Sequence, residues 1–594
     1  MVHYQIEIAD AQAHLFRVTL TLAAPAAEQA FSLPVWIPGS YMVREFSRHL
    51  SGLRARQGQR ELAVQQTSKC AWQVRCSGRA ALVLSYQVYA FDTSVRAAFL
   101  DTERGFFNGT SLCLRVHGRE HEAHGIELAG LLPGWQVATG MRAGRGKASY
   151  EAADYDELVD HPFELGKFWR GQFSAAGVPH EFVVAGAYPI LDGERLLRDA
   201  QRICEAQINF WHGDHKPGKR VGKPAGKPPF ERYVFLLNAV DDSYGGLEHR
   251  ASTALIAARR DLPRLGQAEL SEGYVRLLGL ISHEYFHTWN VKRLRPDVFA
   301  SFDYGQENYT QLLWFFEGFT SYYDELFLVR SGLIDEARYL KLLASTFSGV
   351  LAAPGRKHQS VAQSSFDAWV KYYRQDENTP NAVVSYYTKG SMVAMALDLA
   401  LRSADQPSGC SVHLDALMRL LWQRSGGGGP IGEADIMAAV TELGGAALAQ
   451  DLTLWVHGTD DLPLPALLER FGLRWAADKA SLAQRIGLRV SEENGSIVVK
   501  QVLQGSAALA AGFCAGDEIL ACNGWRLRKL EDALLCLQPE RLAQMEWLVV
   551  RDQRVLTLLL HLPTGEAAAT PVALSPEAKA PARALSLRRA WLGG

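Results

Sequence analysis

Paired cysteines are missing from this sequence. Its eight cysteines (Cys70, Cys76, Cys113, Cys204, Cys410, Cys514, Cys522 and Cys536) are scattered over 594 residues with no Cys-x-x-Cys pair. That spacing speaks against a cysteine zinc site and against a disulfide frame, and predicts reduced thiols in a cytoplasmic protein. An excess of charge is also missing: 62 Lys and Arg face 64 Asp and Glu, for a net charge of −2 and a pI of about 6.8. This balance gives no electrostatic case for a nucleic-acid partner or an anionic membrane. No apolar run is long enough to span a bilayer. The opening "MVHYQIEIAD" has no basic flank ahead of an apolar run, so no signal peptide is expected. The glycine-rich stretch "RSGGGGPIGEAD" (424–435) is not followed by Gly-Lys-Ser/Thr, so it is no phosphate loop.

What is present is enough apolar material, 48% of the chain, to build large cores. The length alone suggests roughly three to five domains. Residues 1–170 alternate apolar and polar in short runs such as "HLFRVTLTL" and "ALVLSYQVYAF", the period of half-buried strands, and predict an all-β domain. From 171 to 330 strands and helices mix, and 331–475 read as mostly helical. Residues 476–562 return to short strands, and 563–594, rich in Ala, Pro and Arg, read as a disordered tail. The basic, Pro- and Gly-rich stretch 212–229 reads as a surface insertion more readily than as a binding loop.

Chemistry concentrates at "SHEYFHTWN" (282–290). A helix turns once per 3.6 residues, so His283 and His287 share one face and can ligate one zinc ion, with Glu284 beside it as a proton acceptor. A catalytic zinc needs a third protein ligand. Glu317, in the aromatic stretch "LLWFFEGFTSYYDEL", is an acid in a setting that is costly unless the carboxylate is paired or binds a metal. Glu307 in "GQENYT" is the rival. Asp324 lies two turns beyond Glu317 and could hold a ligand histidine by its free ring nitrogen. In "DDSYGGLEHRAST", Gly245 and Gly246 let backbone approach a ligand closely, ahead of Glu248. In "SYYTKGSMVAMALDL", Tyr387 stands at a helix start.

Taken together, H-E-x-x-H, E-G-F-T-x-Y, Y-x-K-G and the preceding G-G-x-E-H resemble the thermolysin-like zinc aminopeptidases. The chain is most similar to the glycyl aminopeptidase family, through "PVWIPGSYMVREFSRH", "HEYFHTWNVKRLRP" and the PDZ-like text "AGDEILACNG". The resemblance implies a multidomain α+β protein. It comprises an N-terminal all-β domain, a thermolysin-like catalytic domain with a mostly helical second half, and a PDZ domain appended at 476–562. It implies one zinc ion per chain held by His283, His287 and Glu317, Glu284 as general base, and Tyr387 as oxyanion donor. It also implies that Glu248 binds the free α-amino group of a peptide, with small N-terminal residues such as Gly or Ala preferred. An endopeptidase steered by the PDZ domain and a catalytically silent PDZ adaptor are the alternatives. The PDZ domain would take a peptide C-terminus at the loop around Ile486–Leu488, or serve only in packing.

Overall fold

The computed structural model describes residues 1–213, 226–404, 412–537, 544–563 and 567–593. Most of the basic stretch 212–229 therefore lies outside the described residues. Among the described residues no helix is long and apolar enough to cross a membrane. The chain folds as two compact units, residues 1–308 with 425–430, and 309–424 with 431–594.

The first unit begins with the expected β domain. Strand Val2–Asp10 buries every second side chain, and pairs with Leu15–Leu22 inside an eight-stranded sheet. Phe16, Val18 and Leu20 sit in its core, and that same core takes in Leu247, Ala254 and Ile256. These three belong to the next sheet, so the β domain and the strand carrying Glu248 share one interior. The next sheet has five strands, β1 (Trp169–Ala175), β2 (Val178–Ala185), β3 (Tyr233–Val240), β4 (Tyr244–Glu248) and β5 (Ser252–Ala258), in the order β1-β2-β3-β5-β4. β2 and β3 are parallel, which requires a crossover. Helix α1 (Gly193–His212) supplies it, started by the Asp192 side chain accepting from the Arg195 N–H. Helix α2 (Glu272–Phe286) starts at Ser271, whose hydroxyl accepts from the Tyr274 N–H. α1 is tied to α2 where the buried Gln207 amide donates to Ser282 O at 2.8 Å and to its Oγ at 2.9 Å.

The second unit is built around helix α3 (Leu313–Arg330), apolar on nearly all sides and correspondingly buried. It crosses helix α4 (Thr388–Ser403) with no side chain between the backbones. A Cβ on Gly318 would stand 2.6 Å from Gly390 Cα, and one on Gly390 would stand 2.8 Å from Trp314 O. The glycines of E-G-F-T and Y-x-K-G are thus the two sides of one helix crossing.

Two expectations are corrected here. The tail is ordered rather than disordered over Val572–Pro576 and Ala582–Gly593. Strand β6 (Leu473–Ala477) and the six-stranded PDZ sheet, whose edge strand is β7 (Leu488–Glu493), precede β8 (Val572–Pro576), which pairs antiparallel with β6. Helix α5 (Ala582–Gly593) then buries Trp591, whose indole N–H donates to Tyr322 OH of α3 at 2.8 Å. Arg330 and Arg402 donate to the carbonyls of Trp591 and Ala590 at the end of α5. The PDZ domain is consequently inserted into the helical unit, between β6 and β8, and not appended to it.

Candidate metal centre

α2 ends at Phe286, and His287 follows as its still-helical cap. The His287 ring is fixed by its own chain, with Nδ1 2.8 Å from the backbone carbonyl of Asn290. A carbonyl only accepts, so Nδ1 carries the proton and Nε2 presents a lone pair. That lone pair faces His283, with the two Nε2 atoms 3.0 Å apart. Two imidazole nitrogens at this distance need a cation or a proton between them. Among the described residues, the ligating atoms of His283, His287 and Glu317 all lie within 4.8 Å of one another. Two neutral imidazoles and a carboxylate form a donor set that suits zinc. Glu307, the rival ligand, is not in this group.

Glu284 is buried against β4. A Cβ on Gly246 would run into the Glu284 carboxylate, so any larger residue here would push that side chain out of its place. Gly245 is under less constraint: a Cβ there would meet the Arg96 guanidinium at an ordinary 3.7 Å. Glu248 closes β4, the edge strand, and is 4% exposed. Its carboxylate lies on Gly39, at φ +94°, where a Cβ would come within 2.5 Å of Oε1. Gly39 belongs to "PVWIPGSYMVREFSRH", text that carried the resemblance but no chemistry in the sequence, and only its contact shows what the glycine does.

Tyr387 caps the start of α4 and is half-buried. Tyr372 and Tyr386 pack on its ring at 5.4 and 4.8 Å between centroids. Burial, then the Glu317 carboxylate, push its hydroxyl well above the usual tyrosine range, so it stays an O–H donor. Asp324 is half-buried and its Oδ1 accepts from the Glu325 N–H at 2.5 Å. The imidazole partner that sequence reasoning missed is the Asn290 carbonyl, which no side-chain motif could signal.

In the PDZ domain, Gly487 ends the short helix Leu482–Ile486 with φ +79° and leads into β7. The carbonyls of Gln484 and Arg485 accept from the N–H groups of Ala569 and Ala568.

Three family descriptions match the chain in order: Peptidase M61 N-terminal domain at 3–167, M61 glycyl aminopeptidase at 276–393, and PDZ domain at 475–538. The crystal structure of an aminopeptidase N family protein from Idiomarina loihiensis is 36% identical, with a TM-score of 0.91 and 100% of both chains covered. An M1 zinc metallopeptidase from Deinococcus radiodurans is 15% identical, with a TM-score of 0.46 over 78% of this chain and 94% of its own. No curated protein matches the chain. On the M61 matches and the full-length similarity, the chain belongs to the M61 glycyl aminopeptidase family and is a metallo-aminopeptidase with a PDZ domain.

Proposed function

We propose that this protein is a zinc-dependent aminopeptidase that removes small N-terminal residues, Gly or Ala, from peptides with a free amino group. The convergence of His283, His287 and Glu317 carries the reading. Zinc held there supplies Lewis acidity toward a peptide carbonyl and acidifies a water molecule. Glu284 takes the proton of the attacking water and returns it to the leaving amine. Its burial against Gly246 keeps it out of bulk solvent and fixes its direction. The Tyr387 hydroxyl donates to the oxyanion that forms as the carbonyl is attacked. Glu248 pairs with the substrate α-ammonium, a cation that an internal peptide bond does not offer. A charge-assisted contact of that kind contributes roughly 1.5–3 kcal/mol. Asp324 steadies a ligand histidine, and β7 takes a peptide C-terminus as an added strand.

Metal analysis and a panel of amino-acyl anilides test the proposal. One zinc per chain is expected, with chelation abolishing turnover and glycyl and alanyl anilides cut far faster than their N-acetyl forms. Glu317→Gln is expected to lose metal and turnover together, while Glu307→Gln keeps both. A fully active, metal-free protein would sink the reading.

A further inference from the structure

Asp160 is a buried acid outside every motif named so far. It follows the short helix Tyr155–Val159 of the N-terminal β domain. Oδ1 accepts from Lys292 Nζ at 2.7 Å and from His249 Nδ1 at 3.2 Å. Oδ2 accepts from the Arg250 backbone N–H at 3.1 Å and lies 3.3 Å from Arg250 Nε. Burial alone would push its carboxyl up, but Lys292, His249 and Arg250 hold it well below the usual carboxylate range.

The partners share a geometry. His249 and Arg250 directly follow Glu248. Lys292 belongs to the segment just after His287, and its backbone N–H donates to His287 O at 3.1 Å. One carboxylate therefore ties the end of β4 to the end of the histidine helix. Asp160 and Glu248 also line the same cavity, which has a volume of only about 20 Å³. That is room for about one water. The two elements held here are those that carry Glu248 and His287.

We propose that Asp160 is a positioning residue for N-terminal recognition: through His249, Arg250 and Lys292 it sets the place of the Glu248 carboxylate relative to the histidine helix. This deepens the proposed function and rests on Glu248 receiving the substrate ammonium. A purely structural Asp160 would support all substrates alike. A positioning Asp160 matters for free-amine substrates and little for blocked ones.

The test compares glycyl anilide with N-acetylglycyl anilide on zinc-loaded Asp160→Asn, which keeps shape and removes the charge. Expected is a fall of about 10²-fold in kcat/KM for the free amine, on the order of two well-made charged contacts, carried mainly by KM. The residual rate on the acetylated substrate and the zinc content should not change. Calorimetric binding of glycinamide should weaken in parallel, a readout independent of turnover. Should Asp160→Asn fail to fold, His249→Ala carries the same expectation at about 10-fold, and His249→Asn, whose amide can still donate, should restore the free-amine KM. Proportional losses on both substrates would overturn the proposal. So would an unchanged ratio of free to blocked hydrolysis in either variant while the unmodified enzyme discriminates, and in that case only this inference falls. Equal hydrolysis of free and blocked substrates by the unmodified enzyme would instead remove the Glu248 reading beneath it.

Discussion

Asp160 and Lys389 are both buried charges, one in each compact unit, and their surroundings differ. Asp160 faces three donors at 3.2 Å or less and the Arg250 guanidinium. Lys389, in the Y-x-K-G turn of α4, is 2% exposed, and its ammonium has no hydrogen-bond partner among the described residues. Both pKa values fall, with opposite meanings. For Asp160 the fall marks a charge that folding favours. For Lys389, burial above all pushes the ammonium down to about 8, which marks a charge that folding opposes. The paired acid stabilises its surroundings and the unpaired base costs stability while it is charged.

Breaking the paired side should have the largest effect. Lys292→Met leaves Asp160 short of its closest cation and should cost about 3–5 kcal/mol, the range for removing one partner of a buried pair, measured by urea unfolding. Gly390→Ala tests the same turn as Lys389 by a steric route. Its new methyl would meet the α3 backbone, and a loss of about 1–3 kcal/mol is expected, with no dependence on pH. A stability equal to that of the unmodified protein would show that the helices can slide apart cheaply.

Lys389→Met should cost stability least of the three: at pH 7 it removes a charge that folding opposes, so stability should rise rather than fall, and its signature is a slope. The folded pKa of about 8 lies below the unfolded value of 10.5. Between these values the unfolded chain binds the proton and the folded chain does not. Stability of the unmodified protein should therefore rise as pH rises through this window, by up to about 1.4 kcal/mol per pH unit. Lys389→Met should be flat across it. Asp160 gives the mirror case: its folded pKa is depressed, so its contribution is present above the unfolded value of about 3.8 and is lost as pH falls below it. Parallel pH profiles of the unmodified protein and Lys389→Met would break the comparison.

Local chemistry was legible in the sequence, and long-range partnership was not. His283 and His287 announce themselves because four residues make about one helical turn, and the alternation of Val2, Tyr4, Ile6 and Ile8 announces a half-buried strand. Asp160 gives no such signal. Its partners Lys292, His249 and Arg250 lie far along the chain, and only the shared core of the two sheets brings them together. Gly39 was visible as a residue, but the reason for it, the Glu248 carboxylate, was not. The tail was misread because it is rich in Ala, Pro and Arg, yet Trp591 and Leu592 are buried and the arginines Arg330 and Arg402 close the end of α5. Composition averages over a segment, whereas docking depends on a few side chains.

The β6–β8 ribbon bears on how this molecule can be shortened or rearranged. A stop codon ahead of the PDZ domain would also delete α5, and with it the indole that bonds to Tyr322 on the helix of Glu317. Truncation would therefore damage the peptidase and give a false measure of what the PDZ domain does. Excision is different. Ala477 and Val572 are paired across the ribbon, and antiparallel partners stand about 4.5–5.5 Å apart. A two-residue Asn-Gly turn bridges such a gap, so a tight hairpin can replace everything between them. The inserted module is, in genetic terms, a cassette: removable from the middle of the gene and not from its end.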